Sequence, residues 1–107
     1  DEEYFRLISS VDMVMVLTEQ EGCLVCGAYE GISFLKPLIL SDTKSLRSYF
    51  SKGSIYIDHD PESIAEGIIK GIGKRTKLKE EIRSLKKDLK KDWQYRFRGI
   101  KLILERL

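Results

Sequence analysis

Short apolar runs separated by polar, Gly-bearing segments occupy the first two thirds of the chain. The run Val11–Leu17 is rich in β-branched residues and Met without strict alternation, which is typical of a strand covered on both faces. Two further runs, Pro37–Leu40 and Ser54–Asp58, predict a second and a third strand. Helix-like segments separate these runs, so the pattern indicates parallel pairing through crossover connections and therefore an α/β fold.

The segment after the first strand predicts a helix that begins near Leu24 or Val25 and ends near Leu35. Gly27 and Gly31 lie four residues apart on it and permit another backbone to come close. Each glycine weakens the helix by up to about 1 kcal/mol relative to Ala, so close packing or a ligand has to require them. Two shorter amphipathic segments predict helices over 2–9 and 44–50, the latter with an N-cap among residues 41–43.

The third strand is followed by strong signals for a helix start. Asp60 is a natural N-cap, Pro61 suits the first helical position, and Glu62 complements the helix dipole. The spacing predicts a buried face made of four isoleucines, and glycines are expected to end the helix. The isoleucines are Ile64, Ile68, Ile69 and Ile72, and the glycines are Gly71 and Gly73.

A long amphipathic region ends the chain. Its apolar stripe comprises Leu78, Ile82, Leu85, Leu89, Trp93, Phe97, Ile100 and Leu104. Thr76 can cap this region, and a change in composition at Asp92 and Trp93 suggests a break between two helices. A docking face explains the stripe better than a coiled coil. Because three short strands cannot cover so long a stripe, we expect part of it to pack on a missing domain or on another chain.

Charge divides the chain into two parts. Residues 1–69 hold five Lys or Arg against twelve Asp or Glu, whereas residues 70–107 hold fourteen against five. We interpret 1–73 as one domain and 74–107 as a basic amphipathic helical region. We interpret the basic part as a solvated helix surface. Binding to an anionic membrane surface is the more specific alternative, and no nucleic acid partner is expected. The chain contains no run of about 18 apolar residues.

The two cysteines form a single C-x-x-C motif at Cys23 and Cys26. They can be small core residues, a redox pair or metal ligands. Core residues are favoured because Leu24 and Val25 lie between them, and a zinc site needs two more ligands where His59 is the only histidine. His59 is expected in an exposed turn, and two free thiols fit a reducing cytoplasm. No metal is expected.

The loop after the first strand is the candidate ligand site. In a strand–loop–helix unit, ligands bind at the carboxyl end of the strand, against the helix N-terminus. Two carboxylates, Glu21 and Glu30, lie in the part of the chain that faces such a ligand. Glu30 can also be read as a solvated helix residue, and Glu19 as loop surface.

The order of these elements resembles the C-terminal portion of the family-four retaining glycosyltransferases, which have the glycosyltransferase-B fold of two Rossmann domains. The family's first strand corresponds to V-D-M-V-M-V-L-T, residues 11–18. Its E-G and second Glu correspond to Glu21-Gly22 and Glu30, and its Pro step to Lys36-Pro37. Ser41-Asp42, the run D-P-E-S-I-A-E-G-I at 60–68, and Trp93 complete the ordered set.

The resemblance implies the C-terminal half of a three-layer Rossmann-like parallel sheet with C-terminal helices, and a nucleotide-diphosphate sugar as the donor substrate. It places Glu21 near the donor sugar as the catalytic residue and Glu30 on the ribose hydroxyls. The amides of Gly22, Cys23, Leu24 and Val25 would meet sugar oxygens or phosphate. The full-length parent would be a hexosyltransferase. It would be cytoplasmic, with attachment to the inner face of the membrane as an option.

The sequence also departs from that family. Eight residues rather than seven separate Glu21 from Glu30, Leu35 stands where the family has Gly, and Lys44-Ser45 replaces a Gly pair. The family's phosphate-binding Arg and Lys and its acceptor domain fall outside these 107 residues, so this piece alone is expected to be inactive. An alternative function is a non-catalytic α/β interaction domain with a basic helical face.

Overall fold

A computed structural model describes residues 2–20 and 26–106. The elements it contains are, in chain order, α1 (Glu2–Ser10), β1 (Val14–Val16), α2 (Cys26–Ser33), β2 (Leu38–Ser41), α3 (Lys44–Tyr49), β3 (Ser54–Ile57), α4 (Pro61–Gly73) and α5 (Arg75–Glu105). The three strands form one parallel sheet in the order β1-β2-β3. The predicted α/β class and parallel pairing are therefore confirmed. The predicted boundary between residues 73 and 74 stays a prediction.

Helices cover both faces of the sheet and bury β2 on both sides. Leu38 and Leu40 belong to a core cluster with residues of α2, α3 and α5. Ile39, on the other face, packs with β3, with α4 and with Leu78 at the beginning of α5. The continuous apolar run of β2 is thus the sequence of a central strand.

Helix α2 packs closely against β1 and β2 through its glycines, as their spacing predicts. A Cβ built on Gly31 would lie 2.6 Å from Leu38 Cδ2, and one on Gly27 would lie 3.0 Å from Val16 Cγ2. The same face carries the buried Ala28 and Ile32. The glycines therefore fix which side of α2 faces the sheet and which sides remain for other contacts.

Helix α4 corrects the predicted isoleucine face. Ile64 and Ile68 are partly buried in the core, but Ile69 and Ile72 are 71% and 51% exposed. The buried positions are instead glycines. A Cβ built on Gly67 would lie 2.5 Å from Ile57 Cγ2, and one built on Gly71 would lie 2.7 Å from Met13 Sδ. Close approach to the sheet thus decides the orientation of α4. The predicted cap is confirmed, since the Asp60 side chain accepts from the Ser63 amide.

Helix α5 differs from the prediction at its start and in its middle. The residue before the helix is Lys74, whose side chain makes no capping hydrogen bond. Thr76 is the second residue of the helix and therefore does not cap it. The helix continues through Asp92 and Trp93, and Asp92 pairs with Arg96 one turn later. An ion pair at that spacing supports a continuous helix, so the predicted break is wrong.

The first half of α5 lies across the amino edge of the sheet. Ile82 is fully buried against Gly53, which precedes β3 and has a φ of 75°, a backbone conformation that favours glycine. The Gly53 amide donates to Glu81 Oε1 over 3.0 Å, and Lys52 forms an ion pair of 2.7 Å with Asp88. Burial along α5 ends with Leu85 and the partly buried Leu89.

We expect Gly31→Ala to lower the free energy of unfolding by about 1–2 kcal/mol in urea denaturation. Overpacking costs roughly 1–3 kcal/mol, and the better helix propensity of Ala returns up to about 1 kcal/mol. Gly99→Ala in α5 is the matched control, because a Cβ there has nothing within 4 Å. It should raise far-UV helicity without lowering stability. Equal stability of Gly31→Ala and wild type would contradict the close packing of α2.

Candidate functional site

The carboxyl ends of the three strands meet at one edge of the sheet and enclose a cleft. Parallel strands place their carboxyl ends together, and ligands of open α/β sheets bind at that edge. The cleft has a volume of about 320 Å³ and is open to solvent. The residues that line it are Thr18, Glu19, Ser41, Asp42, Thr43, Ile57, Asp58 and His59. Each strand therefore contributes the residues that follow or end it.

Ser41 joins the two neighbouring loops at this edge. It is the last residue of β2 and only 2% exposed. Its Oγ accepts a hydrogen bond of 2.7 Å from the Thr18 amide and lies 2.7 Å from His59 Nε2. A serine hydroxyl can accept one hydrogen bond while donating another, so it can donate to an unprotonated Nε2. One buried side chain thus connects the loops after β1 and β3.

His59 completes a line of polar groups across the cleft. Its Nδ1 lies 3.9 Å from Glu19 Oε1, and its side chain is about one third exposed. The sequence places His59 correctly in the turn after β3 but does not reveal its bond to Ser41. The available signal is positional: both residues lie at the carboxyl ends of neighbouring strands, which brings them to one edge.

Asp42 is held on the outer side of the cleft by Arg47. The guanidinium donates to both carboxylate oxygens, and Nη2 of Arg47 lies 3.0 Å from Oδ2 of Asp42. Hydrogen bonding to Arg47 lowers the pKa of Asp42 below its ordinary value. Arg47 also stacks on Tyr56, with its Cζ 4.5 Å from the ring centroid. Both charged side chains are well exposed, so the pair orients Asp42 more than it stabilises the fold.

Glu30 lies in the second turn of α2, on the side that faces α1. Its carboxylate accepts a hydrogen bond from the Tyr4 hydroxyl, and this bond is the largest cause of the raised pKa of Tyr4. The ring of Phe5 in α1 also lies 5.8 Å from the ring of Phe34, which directly follows α2. Glu30 is half-buried and is not among the residues that line the cleft. Its predicted contact with a ribose stays a prediction.

The remaining predicted site residues lie outside the described residues. They are Glu21, Gly22, Cys23, Leu24 and Val25. Their described neighbours are Gln20, which follows β1, and Cys26, which begins α2. The three interpretations of the cysteine pair therefore remain open.

Two searches of the described residues concern metals and membranes. Within 2–20 and 26–106, no group of three or more His, Cys, Asp or Glu is arranged to hold a metal ion. In the same ranges, no helix combines the length and the apolar composition needed to cross a bilayer.

Comparison of the chain with protein-family models, with curated proteins and with solved structures found no match.

We expect Ser41→Ala to lower the free energy of unfolding by about 1–3 kcal/mol, because it leaves the partly buried Thr18 amide without its acceptor. Urea denaturation measures the loss, and the ¹⁵N shifts of the His59 ring should change in the same variant. Ser51→Ala replaces an exposed serine and serves as the control, with an expected change within about 0.5 kcal/mol. An unperturbed His59 ring in Ser41→Ala would contradict the Ser41–His59 bond.

Proposed function

We propose that this chain is the donor-binding portion of a retaining glycosyltransferase of the glycosyltransferase-B type, which moves a sugar from a nucleotide diphosphate to an acceptor. The observation that carries the proposal is the polar cleft at the carboxyl edge of the parallel sheet. It lies where an open α/β sheet binds nucleotide ligands. The sheet is interpreted as the C-terminal half of a Rossmann-like domain.

The positions of the motif residues support this proposal. Pro37 immediately precedes β2, Ser41 ends β2 at the carboxyl edge, and Asp60 caps α4. Leu35 stands where the family has a glycine, and it adopts a φ of 58° just after α2. A left-handed residue, usually glycine, ends many helices, so this conformation agrees with the family's pattern without being specific to it.

The charges of the cleft favour one orientation of the donor. Glu19, Asp42 and Asp58 line it and offer acceptors to the hydroxyls of a sugar, but they would repel a diphosphate. The diphosphate therefore belongs at the start of α2. There, amides of Gly22, Cys23, Leu24 and Val25 are proposed to bind it, and Glu21 is proposed to lie beside the sugar.

Glu30 is proposed to bind the ribose of the donor. Cys26 and Glu30 are one turn apart on the same side of α2, and helical side chains lean toward the helix N-terminus. Tyr4 occupies one acceptor site of the carboxylate, which leaves further lone pairs for a diol. The hydrogen bond from Tyr4 would hold the carboxylate in position for that contact.

The complete reaction requires parts beyond this chain. The acceptor-binding domain and the cationic phosphate ligands are expected in a longer parent protein, and this piece alone should not turn over. The donor would be bound without a metal or another cofactor. We propose a cytoplasmic location for the parent, with attachment to the inner face of the membrane as an option.

The alternative is a non-catalytic interaction domain whose basic helical region binds a partner. The exposed apolar residues of α5 beyond Leu89 are the observation that favours it. Titration of the ¹⁵N-labelled chain with UDP-glucose and with GDP-mannose distinguishes the two functions. Amide shifts in 27–31 and at Thr18 support donor binding. The absence of amide shifts throughout the chain would contradict donor binding.

We expect Glu30→Gln to weaken binding of the responding donor by about 10- to 100-fold, because charge-assisted hydrogen bonds to the diol contribute roughly 1.5–3 kcal/mol. Glutamine still offers Tyr4 an acceptor, so α1 should remain in place. Glu66→Gln makes the same change at an exposed position of α4 and is the control. Equal dissociation constants for the two variants in NMR titrations would exclude the ribose role of Glu30.

A further inference from the structure

Helix α5 is longer than the body on which it packs. Its 31 residues correspond to about 46 Å, whereas the two shorter dimensions of the molecule are 30 and 27 Å. Its buried residues are Leu78, Ile82 and Leu85, all in the first half. Residues 90–106, called the distal segment below, are exposed at every position. Among the described residues, no element outside α5 therefore buries the distal segment.

One side of the distal segment continues the apolar stripe of the buried half. Trp93, Phe97, Ile100 and Leu104 follow each other at spacings of four, three and four residues. They are 52–64% exposed, and the rings of Trp93 and Phe97 lie 6.2 Å apart. Since isolated large apolar residues are common on protein surfaces but contiguous stripes are not, this stripe indicates a docking surface.

Apolar residues also lie on the opposite side of the helix near its end. Leu102 is 200° around the helix from both Ile100 and Leu104, and it is 57% exposed. This residue lies outside the stripe, and the stripe is the face that a bilayer surface would cover.

The charges of the distal segment point to an anionic environment. It holds six Lys or Arg against two Asp or Glu, and Asp92 is already paired with Arg96. Lys90 and Lys101 lie along one border of the apolar stripe, and Arg98 lies farther around the helix on the same side. Pairing with the distal segment of a second copy would oppose two cationic surfaces. Residues 1–89 hold 13 Lys or Arg against 15 Asp or Glu, so the excess of positive charge lies in the distal segment, and attraction to an anionic surface would orient the molecule.

We propose that the distal segment docks on an anionic lipid surface, with its aromatic and aliphatic stripe in the headgroup–acyl boundary and its basic side chains on lipid phosphates. Trp and Phe on one face with Lys and Arg beside it are typical of interfacial helices. This proposal does not depend on the glycosyltransferase interpretation, because it rests only on α5.

Trp93 is the only tryptophan of the chain, so its fluorescence reports docking directly. The full chain is mixed with vesicles of phosphatidylcholine containing phosphatidylglycerol, and with vesicles of phosphatidylcholine alone. We expect a blue shift of the emission and co-sedimentation with the anionic vesicles, and at least about 10-fold weaker binding to neutral ones. High salt should weaken the binding, because it screens the charges.

Ile100→Glu should abolish the blue shift by placing a charge in the boundary. Ile69→Glu makes the same change at an exposed isoleucine of α4 and should bind like wild type. For the charges, Lys90→Gln, Arg98→Gln and Lys101→Gln together should weaken binding at least about 10-fold. The control removes three positive charges elsewhere, with Lys70→Gln, Lys74→Gln and Lys77→Gln, and should change binding less than the first set.

Four results would overturn the proposal. The first is equal binding to neutral and anionic vesicles. The second is a blue shift that appears without lipid as protein concentration rises, together with a doubled mass in sedimentation, since a second copy would then cover the stripe. The third is an equal loss of binding in Ile69→Glu and Ile100→Glu. Binding of single-stranded RNA that displaces the vesicles from the distal segment would assign it to nucleic acid instead.

Discussion

Burial of the central strand β2 on both faces and along both edges is the constraint on which the other elements depend. Leu38, Ile39 and Leu40 are at most 1% exposed, and each contributes about 1.5–3 kcal/mol of transfer free energy. Their side chains need cover on both faces, which α2, α3 and α5 supply on one and α4 on the other. Because Ser41 at the end of β2 is buried, its hydroxyl needs hydrogen-bond partners within the protein. Thr18 and His59, in the loops that form the cleft, are those partners.

Much of the fold follows from local sequence signals. The apolar runs locate all three strands, and the caps at Thr43 and Asp60 lie where Thr and Asp precede helical segments. These features depend on a few neighbouring residues. The parallel order also follows from alternation of strands and helices, because crossover connections leave few other arrangements.

The errors arise where packing overrides periodicity. In α4, an isoleucine stripe and a glycine stripe compete for the sheet, and close approach of Gly67 and Gly71 to Ile57 and Met13 decides the outcome. In the cleft, the Ser41–His59 bond joins residues 18 positions apart, so no local pattern contains it. The sequence alone predicts the edge at which polar groups collect, and it cannot predict which of them touch.

The crossing of α5 beneath the amino edge of the sheet has a geometric consequence. The ion pair and hydrogen bonds at Lys52 and Gly53 fix this helix to the side of the molecule remote from the cleft. The packed half of α5 therefore leaves the mouth of the cleft unobstructed, and none of the described residues that line the cleft belongs to this helix. A ligand can enter and leave at the carboxyl edge of the sheet while α5 stays in place.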